Sequence, residues 1–161
     1  MIAKEGMEEQ TSERHYCFGC SKTNPLGLHL SFQMEDGEVR AAFTPQAEHQ
    51  GWPGFMHGGL VATMLDEAMG WVTMSHGIWA VTGKINIRYR DPVPLFRPVT
   101  VVGMIEKNRG RWVTVRAEVR SAEGAVLSEA DAIFMRVSGE RQLELEEIYR
   151  DMTLEDVAQR T

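Results

Sequence analysis

A chain of 161 residues fills one well-buried domain and falls short of two. Hydrophobic residues make up 43% and charged residues 25%, the proportions of a water-soluble globular protein. The net charge of −6 argues against a nucleic-acid binder that works through a broad positive surface.

The polar start Met1-Ile2-Ala3-Lys4-Glu5-Gly6 lacks the apolar stretch of a signal peptide, and no apolar run approaches the length of a membrane span. A cytoplasmic protein with no membrane partner is expected. Residues 1–14 are polar and short of apolar periodicity, which predicts a flexible N-terminal tail ahead of a domain over residues 15–138. Leu28–Met34 and Glu38–Phe43 flank Glu35-Asp36-Gly37 and predict a hairpin. The loop Thr44–Met56 is rich in breakers and leads into an apolar helix from Gly58 to Ser75, which His76-Gly77 stops.

In Val81–Tyr89, alternation puts Val81, Ile85, Ile87 and Tyr89 on one face and Thr82, Lys84, Asn86 and Arg88 on the other. Val99–Lys107, Arg111–Ser121 and Val126–Val137 are long alternating strands joined at Asn108-Arg109-Gly110 and Glu123-Gly124. Residues 139–161 form a charged tail. Its Leu143, Leu145, Ile148, Tyr149, Leu154 and Val157 stand at near-helical spacing and predict one or two short helices. Long antiparallel strands with a single long apolar helix predict an α+β fold in which the sheet wraps around one central helix.

The most informative stretch is His57-Gly58-Gly59-Leu60-Val61-Ala62-Thr63-Met64-Leu65-Asp66-Glu67-Ala68. Glycines at a helix start let a ligand approach the unpaired backbone N–H groups, where the helix dipole favours negative charge. At about 100° per residue, Leu60, Met64, Leu65, Ala68, Met69, Trp71 and Val72 form the expected core face. Asp66 then lies on a stripe of small residues, Ala62, Thr63, Gly70 and Thr73, with room for a ligand or a second subunit. Glu67 points about 100° away, over Leu60, Thr63, Trp71 and Met74, so the two carboxylates have different jobs. The plainer alternative makes both the solvated edge of an amphipathic helix.

His57-Gly58-Gly59 opening a buried helix, with Asp66 nine positions after the histidine and an antiparallel sheet behind, resembles the hotdog-fold thioesterases. The chain is most similar to their phenylacetate-pathway, or PaaI-like, group, which hydrolyses acyl-coenzyme A thioesters. The likeness runs from Cys17 to Val137 and includes Asn24-Pro25-Leu26-Gly27-Leu28, Gly51-Trp52-Pro53-Gly54, Asp66-Glu67-Ala68, Asn86-Ile87-Arg88-Tyr89 and Asp91-Pro92-Val93. It implies that the Gly59 N–H is the oxyanion donor. Asp66 would be the nucleophile or the base for a water, acting across a dimer interface, and the Thr82 hydroxyl would orient it. The group commonly carries an Asn or His that binds water or carbonyl a few residues before His-Gly-Gly. Here that loop is about one residue different in length, and Gln50 is favoured slightly over His49.

Several residues keep two readings. His57 either contacts substrate beside Gly58 or orders its loop by hydrogen bonding to backbone. Trp52 and Phe55 line an acyl pocket or serve packing, whereas Trp71 is core. Lys84, Arg88 and Arg90, with Arg109 and Arg111, meet coenzyme A phosphates or are solvated strand faces. Cys17-Phe18-Gly19-Cys20, with His15 and His29 nearby, is read as a packed turn rather than a metal site or redox pair, because structural zinc usually takes four ligands from paired motifs.

The expected function is hydrolysis of a small or medium acyl- or aryl-coenzyme A to acid and thiol, with no metal or redox cofactor and coenzyme A present only as part of the substrate. A homodimer or dimer of dimers is expected from the open edge of a sheet that wraps one helix. The alternative is a non-catalytic module that binds an acyl or coenzyme A group. A hydratase or dehydratase of the same fold is a third reading, but those enzymes usually rely on a catalytic histidine in a different motif.

Overall fold

A computed structural model describes the backbone of residues 15–158 and the side chains of residues 15–149. The tail expected over residues 1–14 lies outside the described residues. Two compact units are present: one holds residues up to His29 together with those from Ser138 onward, and the other is Leu30–Val137. No helix among the described residues is long and apolar enough to cross a membrane.

The larger unit is built on β1 (Gln33–Glu35), β2 (Glu38–Phe43), α1 (Gly58–Ser75), β3 (Ala80–Tyr89), β4 (Val99–Arg109), β5 (Trp112–Ser121) and β6 (Val126–Arg136). The six strands form one antiparallel sheet in the order β1-β2-β4-β5-β6-β3. Because α1 connects β2, near one edge, to β3 at the other, it has to cross the whole sheet. It packs on β2, β3, β4, β5 and β6.

The hairpin forms where the sequence places it. Asp36 and Gly37 both take positive φ, at 51° and 81°, in a two-residue turn between the paired Glu35 and Glu38. Such a turn matches the twist of its strands, and Asp-Gly is a favoured pair for it. The strand before it is shorter than the expected Leu28–Met34, beginning only at Gln33.

The buried residues of α1 are Val61, Met64, Leu65, Ala68, Met69, Val72 and Thr73, a run of three- and four-residue steps. The core face is therefore turned slightly from the expected one: Leu60 and Trp71 sit at its margin, and Val61 and Thr73 are inside. Thr73 enters the core without an orphan hydroxyl, since Oγ1 donates to the Gly70 carbonyl at 2.8 Å. Opposite lie Val101, Val113, Val115, Ala117, Val119, Ala130, Ala132 and Phe134, each at most 3% exposed. Gly103 on β4 is the point of closest approach, because a Cβ there would collide with the Ala68 carbonyl of α1.

Register shifts interrupt β3 against β6, β4 against β5 and β5 against β6. Each adds local twist and bends its strand. The shift in β3 corrects the expected alternation. Thr82 pairs with buried Phe134, the next pair joins Lys84 to the half-exposed Ile133, and Gly83 has no opposite number. The extra residue reverses the faces before it, so Thr82 shares the helix side with Ile85, Ile87 and Tyr89, while Val81 goes outward with Lys84, Asn86 and Arg88.

In the smaller unit, α2 (Glu140–Ala158) is one continuous helix rather than two short ones. The side chains of Leu154 and Val157 lie outside the described residues. The loop of residues 15–28 holds itself together through Leu28 N–H to Phe18 O (2.8 Å), Gly27 N–H to Asn24 O (3.0 Å) and Asn24 Nδ2 to Tyr16 O (3.4 Å).

Candidate active site

The site is assembled where α1 begins and where β3 passes beside it. His57 is the N-cap of α1: its Nδ1 accepts from the Gly59 N–H at 2.9 Å, and its carbonyl accepts from Leu60 and Val61. That leaves the Gly58 N–H as the amide at the positive end of the helix with no cap among the described residues. Because Nδ1 is the acceptor, the imidazole proton sits on Nε2. The ring thus hydrogen-bonds to backbone at the helix start. The amide expected to receive an oxyanion is occupied by this ring, and both residues are exposed.

Asp66 emerges two turns into α1, half-buried, and its Oδ1 accepts from Thr82 Oγ1 at 2.7 Å. Thr82 reaches it because the bulge at Gly83 turns that residue inward. Glu67 faces elsewhere, with Oε1 accepting from Trp71 Nε1 at 3.2 Å. The two neighbouring carboxylates thus have separate partners, as their 100° offset requires.

Ahead of α1, a cleft of about 830 Å³ is lined by Gln50, Trp52, Phe55, Met56, His57 and Gly58, among others. Trp52, at 83% exposed, stands at its wall. Gly51 lies so close to His57 that a Cβ would sit 2.9 Å from the His57 Cα. Gln50 Oε1 accepts from the Gly54 N–H at 3.2 Å. His49 is committed differently: Nδ1 accepts from the Gln46 N–H at 2.8 Å, and its ring packs edge-on to Phe43 with centroids 5.1 Å apart. Of the two, Gln50 lines the cleft.

Tyr89 carries a role that sequence reading did not assign. Its hydroxyl donates to the Gly58 carbonyl at 2.9 Å and ties the end of β3 to the start of α1. Its alternation with Ile85 and Ile87 marks the helix-facing side, but only the fold brings it to Gly58. A second cavity of about 260 Å³ opens beside this bond, lined by Met56, Val61, Tyr89, Val93 and Ser128. The Ser128 hydroxyl is buried there with no partner among the described residues.

Of the basic residues, Arg90 lines the second cavity. Lys84 and Arg88 lie on the outer face of β3, away from Asp66 in the same chain. Arg90 is engaged with Glu129, its Nη2 lying 2.7 Å from Oε1, and Arg116 reaches the other carboxylate oxygen at 3.1 Å. The hydrogen bond from Arg90, followed by the charges of Arg90 and Arg116, holds the Glu129 carboxyl below its ordinary value.

Residues 53–128 match the model of the thioesterase superfamily. Acyl-coenzyme A thioesterase THEM4 of mouse is 38% identical over 139 residues, which is 84% of this chain and 60% of that protein. A thioesterase superfamily protein of known crystal structure superposes with a TM-score of 0.68 at 33% identity, covering 70% of this chain and 58% of the other. The PaaI protein of the E. coli phenylacetic acid degradation operon shares the fold, with a TM-score of 0.65 at 18% identity over 70% of this chain and 82% of its own. A six-stranded antiparallel sheet crossed by one helix, with these likenesses, defines a hotdog-fold protein. Over residues 53–128 the chain is similar to the thioesterase superfamily. It spans about 60% of the length of the first curated relatives it matches.

Proposed function

We propose that the protein hydrolyses acyl-coenzyme A thioesters with a small or medium acyl or aryl group, releasing the acid and coenzyme A. The observation that carries this reading is the 2.7 Å hydrogen bond from Thr82 to Asp66, on a helix whose start, at His57 and Gly58, lines an open cleft. Thioester hydrolysis needs a positioned carboxylate or water and donors for the developing oxyanion, and no metal or redox cofactor takes part. Asp66 is the nucleophile or the general base. The Thr82 hydroxyl fixes one oxygen of its carboxylate and leaves the other for the reaction.

Gly59 supplies the oxyanion donor once the His57 ring gives up its amide to the substrate oxygen. The ring acts as a placeholder, accepting the hydrogen bond that the oxyanion takes over. Gln50, on the cleft wall, positions the water or carbonyl. Trp52 and Phe55 border the acyl group, and the cavity beside Tyr89 offers further room.

The active unit is a dimer or a dimer of dimers. β3 is an edge strand with Val81 and Tyr89 about half exposed, and an open edge of that kind favours pairing with a second copy. The outward Lys84 and Arg88 would then meet coenzyme A bound to the neighbour. Light scattering that finds only monomer at micromolar concentration rules out a shared site.

A thiol-release assay over a panel of acyl- and aryl-coenzyme A thioesters tests the activity itself. Turnover of at least one member is expected. Binding without thiol release from any of them moves the chain to the class of acyl-binding modules.

A further inference from the structure

We propose that the loop before β1 is a zinc site, with His15 Nε2, Cys17 Sγ and Cys20 Sγ as its three protein ligands and a water completing the coordination. The sequence alone offers one Cys-x-x-Cys and favours a packed turn. The fold adds the third donor: His15 Nε2 lies 3.4 Å from Cys20 Sγ, and the three donor atoms all lie within 4.8 Å of one another. His29, the other histidine near in sequence, is not in the cluster.

The distances suit the ion. Zinc bonds of about 2.3 Å to sulfur and 2.0–2.1 Å to nitrogen, in a tetrahedron, set donors roughly 3.5–3.8 Å apart. A closing of about 1 Å at most brings the cluster to that geometry. Soft thiolates with one imidazole select zinc over calcium or magnesium, which take oxygen ligands. On binding, the two thiols release their protons to solvent, so two thiolates and Zn²⁺ leave the centre without net charge.

The surroundings are arranged as a support for such ligands. The Gly19 N–H donates to Cys17 Sγ at 3.3 Å, which favours the thiolate. Ser21 Oγ donates to the His15 carbonyl at 3.2 Å and fixes the backbone of the third ligand. The His15 ring also lies edge-on to Tyr149 of α2, with centroids 5.4 Å apart and planes at 64°. A metal on His15 would thus fasten this loop and α2 within one unit. Cys20 is 6% exposed, while His15 and Cys17 are partly exposed, which leaves a side from which a water can reach the metal.

The test uses the full chain, purified, loaded with Zn²⁺ and dialysed, then measured by elemental analysis, with Co²⁺ exchange read by absorption. About one zinc per chain is expected, and Co²⁺ should give thiolate-to-metal charge-transfer bands with the strong visible bands of a tetrahedral site. His15→Ala, which leaves both thiols in place, should weaken zinc binding by about tenfold or more and shift the cobalt spectrum. Cys17→Ser should abolish stoichiometric binding. Zinc should also raise the melting temperature of the wild type and leave that of Cys17→Ser unmoved. A wild type that keeps no stoichiometric zinc, or that binds Co²⁺ without thiolate bands, overturns the proposal, as does a variant that binds as tightly as wild type. In those cases the contact of His15 with Cys20 is a hydrogen bond in a packed turn. Thiol release plays no part in these readouts, so the outcome is independent of the proposed hydrolysis.

Discussion

Thr82 Oγ1 meets Asp66 Oδ1 at 2.7 Å because Gly83 is bulged out of the β3–β6 register. Without the bulge, strict alternation would send Thr82 outward with Lys84, and the carboxylate would lose its partner. Thr82→Val should therefore lower kcat by about tenfold while acyl-coenzyme A binds nearly as before, and Thr82→Ser should retain most of the activity. Steady-state kinetics on the three proteins decide it. A valine variant as active as wild type would leave the hydrogen bond without a catalytic role.

His57 caps α1 through the amide assigned to the oxyanion. Replacing it by alanine removes a helix cap, which costs about 1 kcal/mol, and leaves the Gly59 donor open. The expected result is a lower melting temperature with kcat kept within a few-fold of wild type. A loss of about 10²-fold or more in a folded His57→Ala protein would instead make the ring part of the chemistry.

Gly103 lies under the Ala68 carbonyl with no room for a Cβ. Gly103→Ala pushes α1 off β4 and should destabilise the fold by about 1–3 kcal/mol, the usual cost of overpacking. Denaturant unfolding measures this. Unchanged stability would mean that helix and sheet are less closely seated than described.

On the outer face, the Arg90 and Arg116 guanidiniums hold Glu129 below the ordinary carboxyl value of 4.5. A depressed folded-state value contributes stability above the unfolded-state pKa, and that contribution disappears as pH falls through the folded value. Arg90→Ala should raise the Glu129 titration midpoint, followed by NMR. Its effect on stability should be full above about pH 5 and shrink on acidification. A midpoint that does not move would show that Arg90 is not the main cause.

The parts of this molecule set by local pattern are legible in the sequence. The bounds of α1 coincide with the expected Gly58–Ser75 because an apolar periodicity runs between a histidine-glycine start and a His76-Gly77 stop. The long strands differ from expectation by one or two residues at their ends. What the pattern hides depends on contacts between distant residues. Nothing local announces that Gly83 is extra, since the count of residues opposite it belongs to β6. Tyr89 reaches Gly58 across 31 positions, and His57 reaches Gly59 through a rotamer that sequence does not specify. The separate directions of Asp66 and Glu67 are legible, because a helix fixes the angle between neighbours whatever it packs against.

That pair of carboxylates also provides the most direct test of the account, which assigns the chemistry to Asp66 and leaves Glu67 with Trp71. The measurement is kcat for thioester hydrolysis in Asp66→Asn and Glu67→Gln beside wild type, with binding of the acyl-coenzyme A checked separately. Asp66→Asn should lose roughly 10²-fold or more in kcat while still binding, and Glu67→Gln should stay within a few-fold. Turnover abolished by Glu67→Gln and spared by Asp66→Asn would contradict the assignment.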